Sequence, residues 1–396
     1  MISVEKARTL ILKNTRALRV LKHPVTDAQG CVLAENIKAP VHLPPFNQSA
    51  MDGYAVICTD VKNKKKIKVV GEVAAGKVFN CKMKSGEAVR IFTGAPVPEG
   101  ADAVIMQEKV TFQNGYLIAG EIPLKFKNIR KKGSQIKQGK TAMYKGTVLT
   151  PGSVGYLTAM GIASVNIFPA PRITVIVTGS ELKKPGTKLK VGQIYESNSY
   201  ALQAALHSIG IDNAEIISIP DDEKTTQQTL KRALKHSDMI LLTGGISVGD
   251  YDYVGKALQQ QGVTNIFYKI KQKPGKPLFF GKYNETLIFG LPGNPAAVLS
   301  CFYEYVYPAI RLMQGHKQPF LRAVTLPLLT SYTKKTGLSF FLKGKITSQG
   351  VTPLTGQESY ILRSFAEADC LIYLPAETGY VKKGTTVEVH LLPGLY

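Results

Sequence analysis

The chain is poor in cysteine, with 5 among 396 residues, and poor in acid, with 28 Asp+Glu against 50 Lys+Arg. Cys31, Cys58, Cys81, Cys301 and Cys370 lie far apart, odd in number and without a CxxC pair, so neither a disulfide framework nor a thiolate zinc site is expected. The 6 histidines are equally scattered, with no HExxH spacing. No apolar run approaches the roughly 18–20 residues that a membrane span needs. Met1 to Lys13 alternates charge with Leu and Ile and lacks the apolar core of a secretion signal. Gly 36 and Pro 22 are too few and too scattered for a collagen-like or low-complexity polymer, and no repeat period occurs. With 44% hydrophobic and 8% aromatic residues, the chain can bury several cores. Single cores rarely grow past roughly 250–300 residues, so the expectation is a soluble, cytoplasmic protein of two to four domains.

The shortage of acid leaves a net charge of +22. Residues 61–145 hold 18 Lys/Arg and 6 Asp/Glu, a net +12, so over half of the excess lies in one stretch. Such a field attracts nucleic acid, acidic membrane or small polyanions. The runs Lys64-Lys65-Lys66 and Lys131-Lys132 lack interleaved stacking aromatics and no recognition helix accompanies them. Nucleic acid is therefore not the expected partner, and a solvated basic surface accounts for the charge equally well.

Ser3 is placed to cap a helix whose Val4, Ala7, Leu10, Ile11 and Leu18 share a face. After Pro40 the pattern turns to short β segments: Ile67–Val73, Ala88–Phe92, Ala103–Met106 and Tyr116–Ala119, punctuated by the turn dipeptides Asp52-Gly53 and Asn114-Gly115. From Pro171 apolar strands alternate with helical segments. Strands are expected at Ile173–Thr178, Glu215–Ile219, Met239–Thr243, Thr264–Ile270 and Thr286–Gly290, and helices near Ser199–Ile209, Glu223–His236, Tyr253–Gln261 and Ala296–Met313. Near-continuous apolar strands between helices argue a doubly wound, mostly parallel α/β domain covered on both faces. Beyond about residue 320 the pattern returns to short strands: Phe340–Ile346, Cys370–Leu374 and Thr386–Leu392. The division expected is a linking domain (1–43 with 138–171), a small β domain (44–137), the α/β domain (172–318) and a C-terminal β-barrel-like domain (319–396).

Ligands of open α/β sheets sit outside the carboxyl ends of the strands. There, Met239–Thr243 runs into Gly244-Gly245-Ile246-Ser247-Val248-Gly249, then Asp250 and Asp252. Paired glycines admit a phosphate to backbone N–H groups, and two carboxylates suit a magnesium ion beside it. A plain βα turn with Asp caps explains the same residues. Ile173–Thr178 ends in Gly179-Ser180-Glu181, where Glu181 is either a ligand or a solvated loop acid. Lys273-Pro274-Gly275-Lys276-Pro277 is a stiff turn that presents two ammonium groups together, an arrangement that suits an oxyanion; a basic surface loop is the alternative. Pro292-Gly293-Asn294-Pro295 leads a strand into a helix with Pro295 in the first turn, either as an anion site or only as a tight connection. Pro44 to Ala55 mixes Phe46, Met51 and Tyr54 around Asp52-Gly53, more than a hairpin requires, and suits a loop that reaches another subunit or domain.

Taken together these stretches resemble the molybdopterin molybdenumtransferases, the MoeA family and the E domains of gephyrin-like proteins. The resemblance is carried by Pro45-Phe46…Ser49-Ala50-Met51-Asp52-Gly53-Tyr54-Ala55, Thr93-Gly94-Ala95-Pro96-Val97-Pro98, Asn128-Ile129-Arg130…Gly133, Thr243-Gly244-Gly245…Asp252, Lys273-Pro274-Gly275-Lys276-Pro277 and Pro292-Gly293-Asn294-Pro295. It implies a four-domain homodimer whose cleft lies between the Asp52 domain of one subunit and the α/β domain of the other. It implies a transferase that takes adenylylated molybdopterin and molybdate as substrates, uses Mg2+ and releases AMP, with the adenylyltransferase that supplies the pterin as a candidate partner. By resemblance Asp221 and Asp252 are the metal ligands, and Asp52, Asp252, Lys276 and Glu181 serve the chemistry. Thr93, Arg130, Gly244, Gly245, Ser247, Asp250, Lys273, Pro292, Gly293, Asn294, Pro295, Lys343 and Ser359 bind substrate, with Asp52, Thr93 and Arg130 coming across the dimer.

Several positions depart from the family pattern. Asn47-Gln48 stands for Asp-Asn, Gly133-Ser134-Gln135 for Gly-Glu-Asp, Ser180 for Asp, Ala297 for Ser and Lys343 for Arg. Three of these changed stretches lose carboxylate, and Lys for Arg keeps charge but loses the bidentate fork. They motivate a second expectation, a paralogue that binds or carries the pterin without efficient turnover.

Overall fold

The computed structural model describes residues 1–244 and 253–394. Its contacts divide into two units: Met1–Leu21, Gly30–Val32 and Ile167–Tyr396 form one, Lys22–Gln29 and Leu33–Asn166 the other.

The larger unit is built on a six-stranded sheet of β1 (Ile173–Thr178), β2 (Glu215–Ile219), β3 (Met239–Thr243), β4 (Thr264–Tyr268), β5 (Phe279–Tyr283) and β6 (Thr286–Leu291), in the order β2-β1-β3-β6-β5-β4. The junctions β2-β1, β1-β3 and β3-β6 are parallel; β6-β5 and β5-β4 are antiparallel. Strand β5 has no counterpart in the sequence reading. Every residue of β1, β3 and β6 is buried, because helices cover both faces. One face carries α1 (Val4–Asn14), α2 (Asn198–His207) and the helical run beginning at α5 (Pro295–Cys301) and ending in α6 (Tyr307–Met313). The other carries α3 (Glu223–His236) and α4 (Tyr253–Gln260). Ser3 caps α1 through Lys6 N–H at 3.2 Å, and Asp222 caps α3 through Thr225 N–H at 2.8 Å. Val4, Ala7 and Ile11 of α1 enter the core under the sheet, whereas Leu18 lies beyond the helix end.

The expected helix Ala296–Met313 is one run with a π turn at Phe302–Val306. Pro308 has no N–H for the carbonyl four residues earlier, that of Glu304, which removes one α-type bond where the turn loosens. This turn buries Glu304 and Tyr305.

Strands β7 (Ala323–Pro327), β8 (Ser339–Thr347), β9 (Gly350–Pro353), β10 (Cys370–Leu374) and β11 (Thr386–Leu391) form the C-terminal sheet. Its antiparallel order is β8-β10-β11-β7, with β9 on β8. The short strand Gln272–Lys273 joins its edge parallel to β8, with Gln272 opposite Ser339 and Lys273 opposite Phe340. A segment of the α/β domain is thus strapped to the last domain.

The smaller unit holds a four-stranded sheet in the order Lys68–Val73, Glu87–Ile91, Gly53–Val56, Ala103–Met106. Asn114-Gly115 turns the hairpin between Val110–Gln113 and Tyr116–Ala119, both residues at positive φ (51 and 79°). Asp52-Gly53 is different from the turn expected: Gly53 opens a strand. It is glycine because a Cβ there would lie 1.9 Å from the carbonyl oxygen of Ile105. Among the described residues no helix is long and apolar enough to cross a membrane.

Candidate functional site

The carboxyl ends of β1, β2 and β3 bring the first group of residues together. Gly244 follows β3 at φ +82°, and a Cβ on it would sit 2.4 Å from the Thr178 carbonyl oxygen at the end of β1. Close approach of two strand exits therefore demands glycine. Asp221 follows β2, and its Oδ2 accepts the Ser180 N–H at 2.9 Å, joining the β1 and β2 exits. Ser180 brings no negative charge next to that carboxylate. Glu181 is exposed and close to Gly179: a Cβ there would meet its Oε2 at 2.9 Å. The hydroxyls of Thr178 and Thr243, one at each strand end, are buried without a hydrogen-bond partner among the described residues. Gly245, Ser247, Asp250 and Asp252 lie outside the described residues. Beside this point a cleft of about 700 Å³ opens between Gly179, Val177, Leu182, Ile216 and Tyr200.

The second group lines a cleft of about 660 Å³: Lys273, Lys276, Pro292, Gly293, Asn294 and Ser359, with Tyr268, Lys269 and Ala297. Both Lys273 and Lys276 are exposed, whereas Gln272, Pro274 and Gly275 between and beside them are buried. Lys273 Nζ stands 5.5 Å from the centre of the Phe340 ring. No ion pair with Asp or Glu is made by either lysine among the described residues. Across the cleft, Asn198 Nδ2 donates to the Gly293 carbonyl at 2.8 Å and Asn294 Nδ2 donates to Ser359 Oγ at 2.7 Å. Pro295 occupies the first turn of α5. The N–H groups of Ala296 and Ala297 donate to the Ser359 carbonyl at 3.0 and 3.2 Å, so these two amides close the turn onto the last domain and are not open to an anion.

Lys343 is 1% exposed. Its ammonium donates to the carbonyls of Gly356 (2.7 Å), Ile361 (3.1 Å) and Glu358 (3.3 Å). With three N–H groups spent on three carbonyls, it reaches the cleft through the loop that carries Ser359 rather than by an open contact. Burial pulls its pKa below the usual lysine value, and Glu358 pulls the other way. Lys343→Met is expected to leave those carbonyls unpaired and to cost about 2–3 kcal/mol. Urea unfolding and amide exchange over 356–361 check this; an unchanged midpoint with unchanged exchange refutes it.

In the smaller unit three motif stretches converge. Thr93 donates to Asp52 Oδ1 from both N–H (2.7 Å) and Oγ1 (2.8 Å), which holds the Asp52 carboxyl below its ordinary pKa. Arg130 pairs with Gln48 in the ladder of Ile129–Arg130 with Gln48–Ser49, and Gly94 N–H donates to the Ser49 carbonyl at 2.9 Å. Asn47 Oδ1 accepts the Lys132 N–H at 2.8 Å, so the amide fills an acceptor role that a carboxylate would fill. Asp52, Thr93 and Arg130 are exposed, as are Phe46 (39%) and Met51 (43%).

The larger unit thus joins an α/β sheet whose strand exits meet in glycine turns to a cleft lined by Lys273 and Lys276, which pair with no carboxylate among the described residues, a combination that suits an anionic ligand. Family models match almost the whole chain: the MoeA N-terminal region (domain I and II) over residues 2–161, a probable molybdopterin binding domain over 174–312 and the MoeA C-terminal region (domain IV) over 325–392. The chain is 35% identical over 407 residues to a molybdopterin molybdenumtransferase of Haemophilus influenzae, covering 99% of this chain and 100% of that one. It is 33% identical to molybdopterin molybdenumtransferase 2 of Mycobacterium tuberculosis, covering 98% and 99%. The crystal structure of a molybdopterin biosynthesis MoeA protein from Pyrococcus horikoshii OT3 superposes with a TM-score of 0.83 at 29% identity, over 99% of this chain and 100% of that one. The chain belongs to the MoeA family of molybdopterin molybdenumtransferases.

Sequence reasoning did not find Asn198, Gln272, Lys269 or Tyr305. Asn198 reads as an ordinary helix-start residue, and only its bond to Gly293, 95 residues away, ties it to the cleft.

Proposed function

We propose that this protein is a molybdopterin molybdenumtransferase that inserts molybdate into adenylylated molybdopterin and releases AMP, with Mg2+. The observation that carries the reading is the pair Lys273 and Lys276, exposed on one cleft and without carboxylate partners among the described residues. Two ammonium groups held together repel unless an oxyanion joins them, and molybdate or a phosphate meets that need. Asn294 and Ser359 face the same space and offer neutral donors, which orient an oxyanion without adding charge.

The residues present fit a magnesium ion. Asp221 spends one oxygen on Ser180 N–H and makes no hydrogen bond with the other among the described residues, and Mg2+ is commonly held by one or two carboxylates with substrate phosphates completing its shell. Asp221 would hold it, with Asp252 as second ligand; when bound, the ion polarises a phosphoryl oxygen of the anhydride. Among the described residues no cluster of three metal-ligating side chains exists, so the substrate itself would have to contribute ligands. Glycine turns at Gly179 and Gly244 let a phosphate approach backbone N–H groups. The cleft beside these turns, lined by Val177, Leu182, Ile216 and Tyr200, leaves room for the base. Asp52, Thr93 and Arg130 would complete the site from the partner of a cytoplasmic homodimer.

The test is AMP release from adenylylated molybdopterin by the purified chain, with and without molybdate and Mg2+. Release that requires both, and that falls at least about a hundredfold in Asp221→Asn through loss of the metal contribution, is expected. Tight pterin binding without turnover would instead support the carrier reading.

A further inference from the structure

We propose that Gln272 and Tyr305 form a buried positioning pair that fixes the geometry of the Lys273–Lys276 turn; the role in anion binding rests on the function proposed above. Gln272 borders the cleft but is only 1% exposed, and Tyr305 is fully buried and does not line it, so the pair acts through the turn it holds. The carboxamide of Gln272 donates from Nε2 to the Pro274 carbonyl at 3.0 Å and to the Gly275 carbonyl at 3.2 Å. Those are the two carbonyls that lie between the two exposed lysines. Its Oε1 accepts the Tyr305 hydroxyl in a short hydrogen bond. An amide has two N–H groups, and here the nearest acceptors are the two turn carbonyls, with Cys301 Sγ farther off at 3.7 Å, while the oxygen accepts from Tyr305.

The packing leaves the turn little freedom. Gly275 has φ +83°, and a Cβ there would lie 2.3 Å from Cys301 Sγ and 2.9 Å from Gln272 Nε2. Ile270 N–H donates to the Lys276 carbonyl at 2.9 Å, closing the turn from the other end. Tyr305 lies on the π turn, and burial raises its phenol pKa well above the ordinary value, so it stays a donor throughout the working pH range. A Leu or Met at 272 would fill the same volume in this apolar surrounding; what it cannot do is hold two carbonyls. The polar side chain is explained by what it holds. An oxyanion clamp depends on the spacing of its ammonium groups, and small misplacements are costly when a ligand must meet two charges at once.

The experiment compares the full chain with Tyr305→Phe, Gln272→Met and the double variant. Three quantities are read: the Kd for molybdate alone by titration calorimetry, amide exchange of residues 271–278, and KM for molybdate against kcat. Tyr305→Phe and Gln272→Met are each expected to raise the molybdate Kd and KM about tenfold, the equivalent of roughly one lost hydrogen bond. Exchange at Gly275 and Lys276 should quicken by a similar factor, and kcat at saturating molybdate should stay within about twofold. Because both residues act through one path, the double variant should be no worse than the worse single one. A Kd and KM unchanged in both folded variants, or a fall in kcat with KM unchanged, overturns the proposal. If the native chain binds molybdate but releases no AMP, the function above fails while Kd and exchange still judge the pair. If the native chain binds no molybdate, exchange alone decides: turn amides as slow in both variants as in the native chain overturn it.

Discussion

Glu304→Gln is expected to destabilise the larger unit by about 3–5 kcal/mol, the usual cost of removing one partner from a buried ion pair. The Glu304 side chain is 2% exposed and sits on the π turn between Arg8 of α1, to which it is salt-bridged, and His390 of β11, whose Nδ1 is 2.7 Å away. His390 Nε2 is in turn 2.8 Å from Glu388, and Tyr373, bonded to Glu5, stacks on the imidazole. Three elements far apart in sequence are pinned at one carboxylate, and the amide cannot neutralise Arg8. The contrasting variant is Arg8→Met with Glu304→Leu and His390→Leu, which removes every buried charge at once. It should come close to native stability, because desolvation is no longer opposed to Coulomb attraction. Urea midpoints decide it: a Glu304→Gln midpoint equal to native sinks the account.

The same cluster fixes a pH dependence. Burial disfavours the His390 imidazolium, but Glu304 and Glu388 outweigh it and raise the pKa above the ordinary 6.5. Burial likewise opposes ionised Glu304, and His390 with Arg8 outweighs that, lowering its pKa below 4.5. A raised histidine contributes stability that is complete below the unfolded value of 6.5 and is lost as pH rises through the folded pKa. A lowered carboxylate contributes above 4.5 and is lost as pH falls through its folded pKa. The native chain should therefore lose stability on both sides of the interval from 4.5 to 6.5, and Glu304→Gln should flatten both slopes.

None of this cluster was legible in the sequence, and the reason is physical. Arg8 lies 296 residues before Glu304 and His390 lies 86 after it, and a Glu within an apolar helical stretch reads as a surface position. Only the π turn, which follows from Pro308, directs it inward. Gln272 is hidden in the same way, since an amide between Lys271 and Lys273 reads as part of a basic surface loop. What could be read were features with local causes. The strands β1, β3 and β6 are buried on both faces and so are apolar throughout. The glycine turns require φ values or approaches that only glycine permits, as at Gly244 and Gly275. Gly53 shows the limit: Asp-Gly usually means a turn, and here the glycine answers to a neighbouring strand's carbonyl, a tertiary cause no dipeptide reports. The lysine cleft was legible as a turn chemistry. Its far wall, Asn294 on Ser359 with Asn198 behind, was legible only through the family resemblance or not at all.

Lys276→Ala is expected to lower kcat/KM for molybdate about 10- to 100-fold, since a charge-assisted hydrogen bond is worth roughly 1.5–3 kcal/mol. Lys273→Ala should cost less, because the Lys273 ammonium also rests near the Phe340 ring, 5.5 Å from its centre, and so is shared between anion and aromatic face. The double variant should lose less than the product of the two single losses. In the native cleft each ammonium raises the energy of the other until an oxyanion arrives, and removing one relieves that strain for the survivor. Neither lysine is paired to a carboxylate among the described residues, so substitution breaks no ion pair of the fold and stability should hold within about 0.5 kcal/mol. Lys276→Arg separates charge from geometry: it keeps the cation, but its planar fork demands a bidentate partner, and partial activity is expected. Steady-state rates at several molybdate concentrations, with salt varied, settle the matter. Full activity in Lys276→Ala would mean that the oxyanion is held elsewhere. A strictly multiplicative double variant would mean that the two ammonium groups do not meet at one ligand.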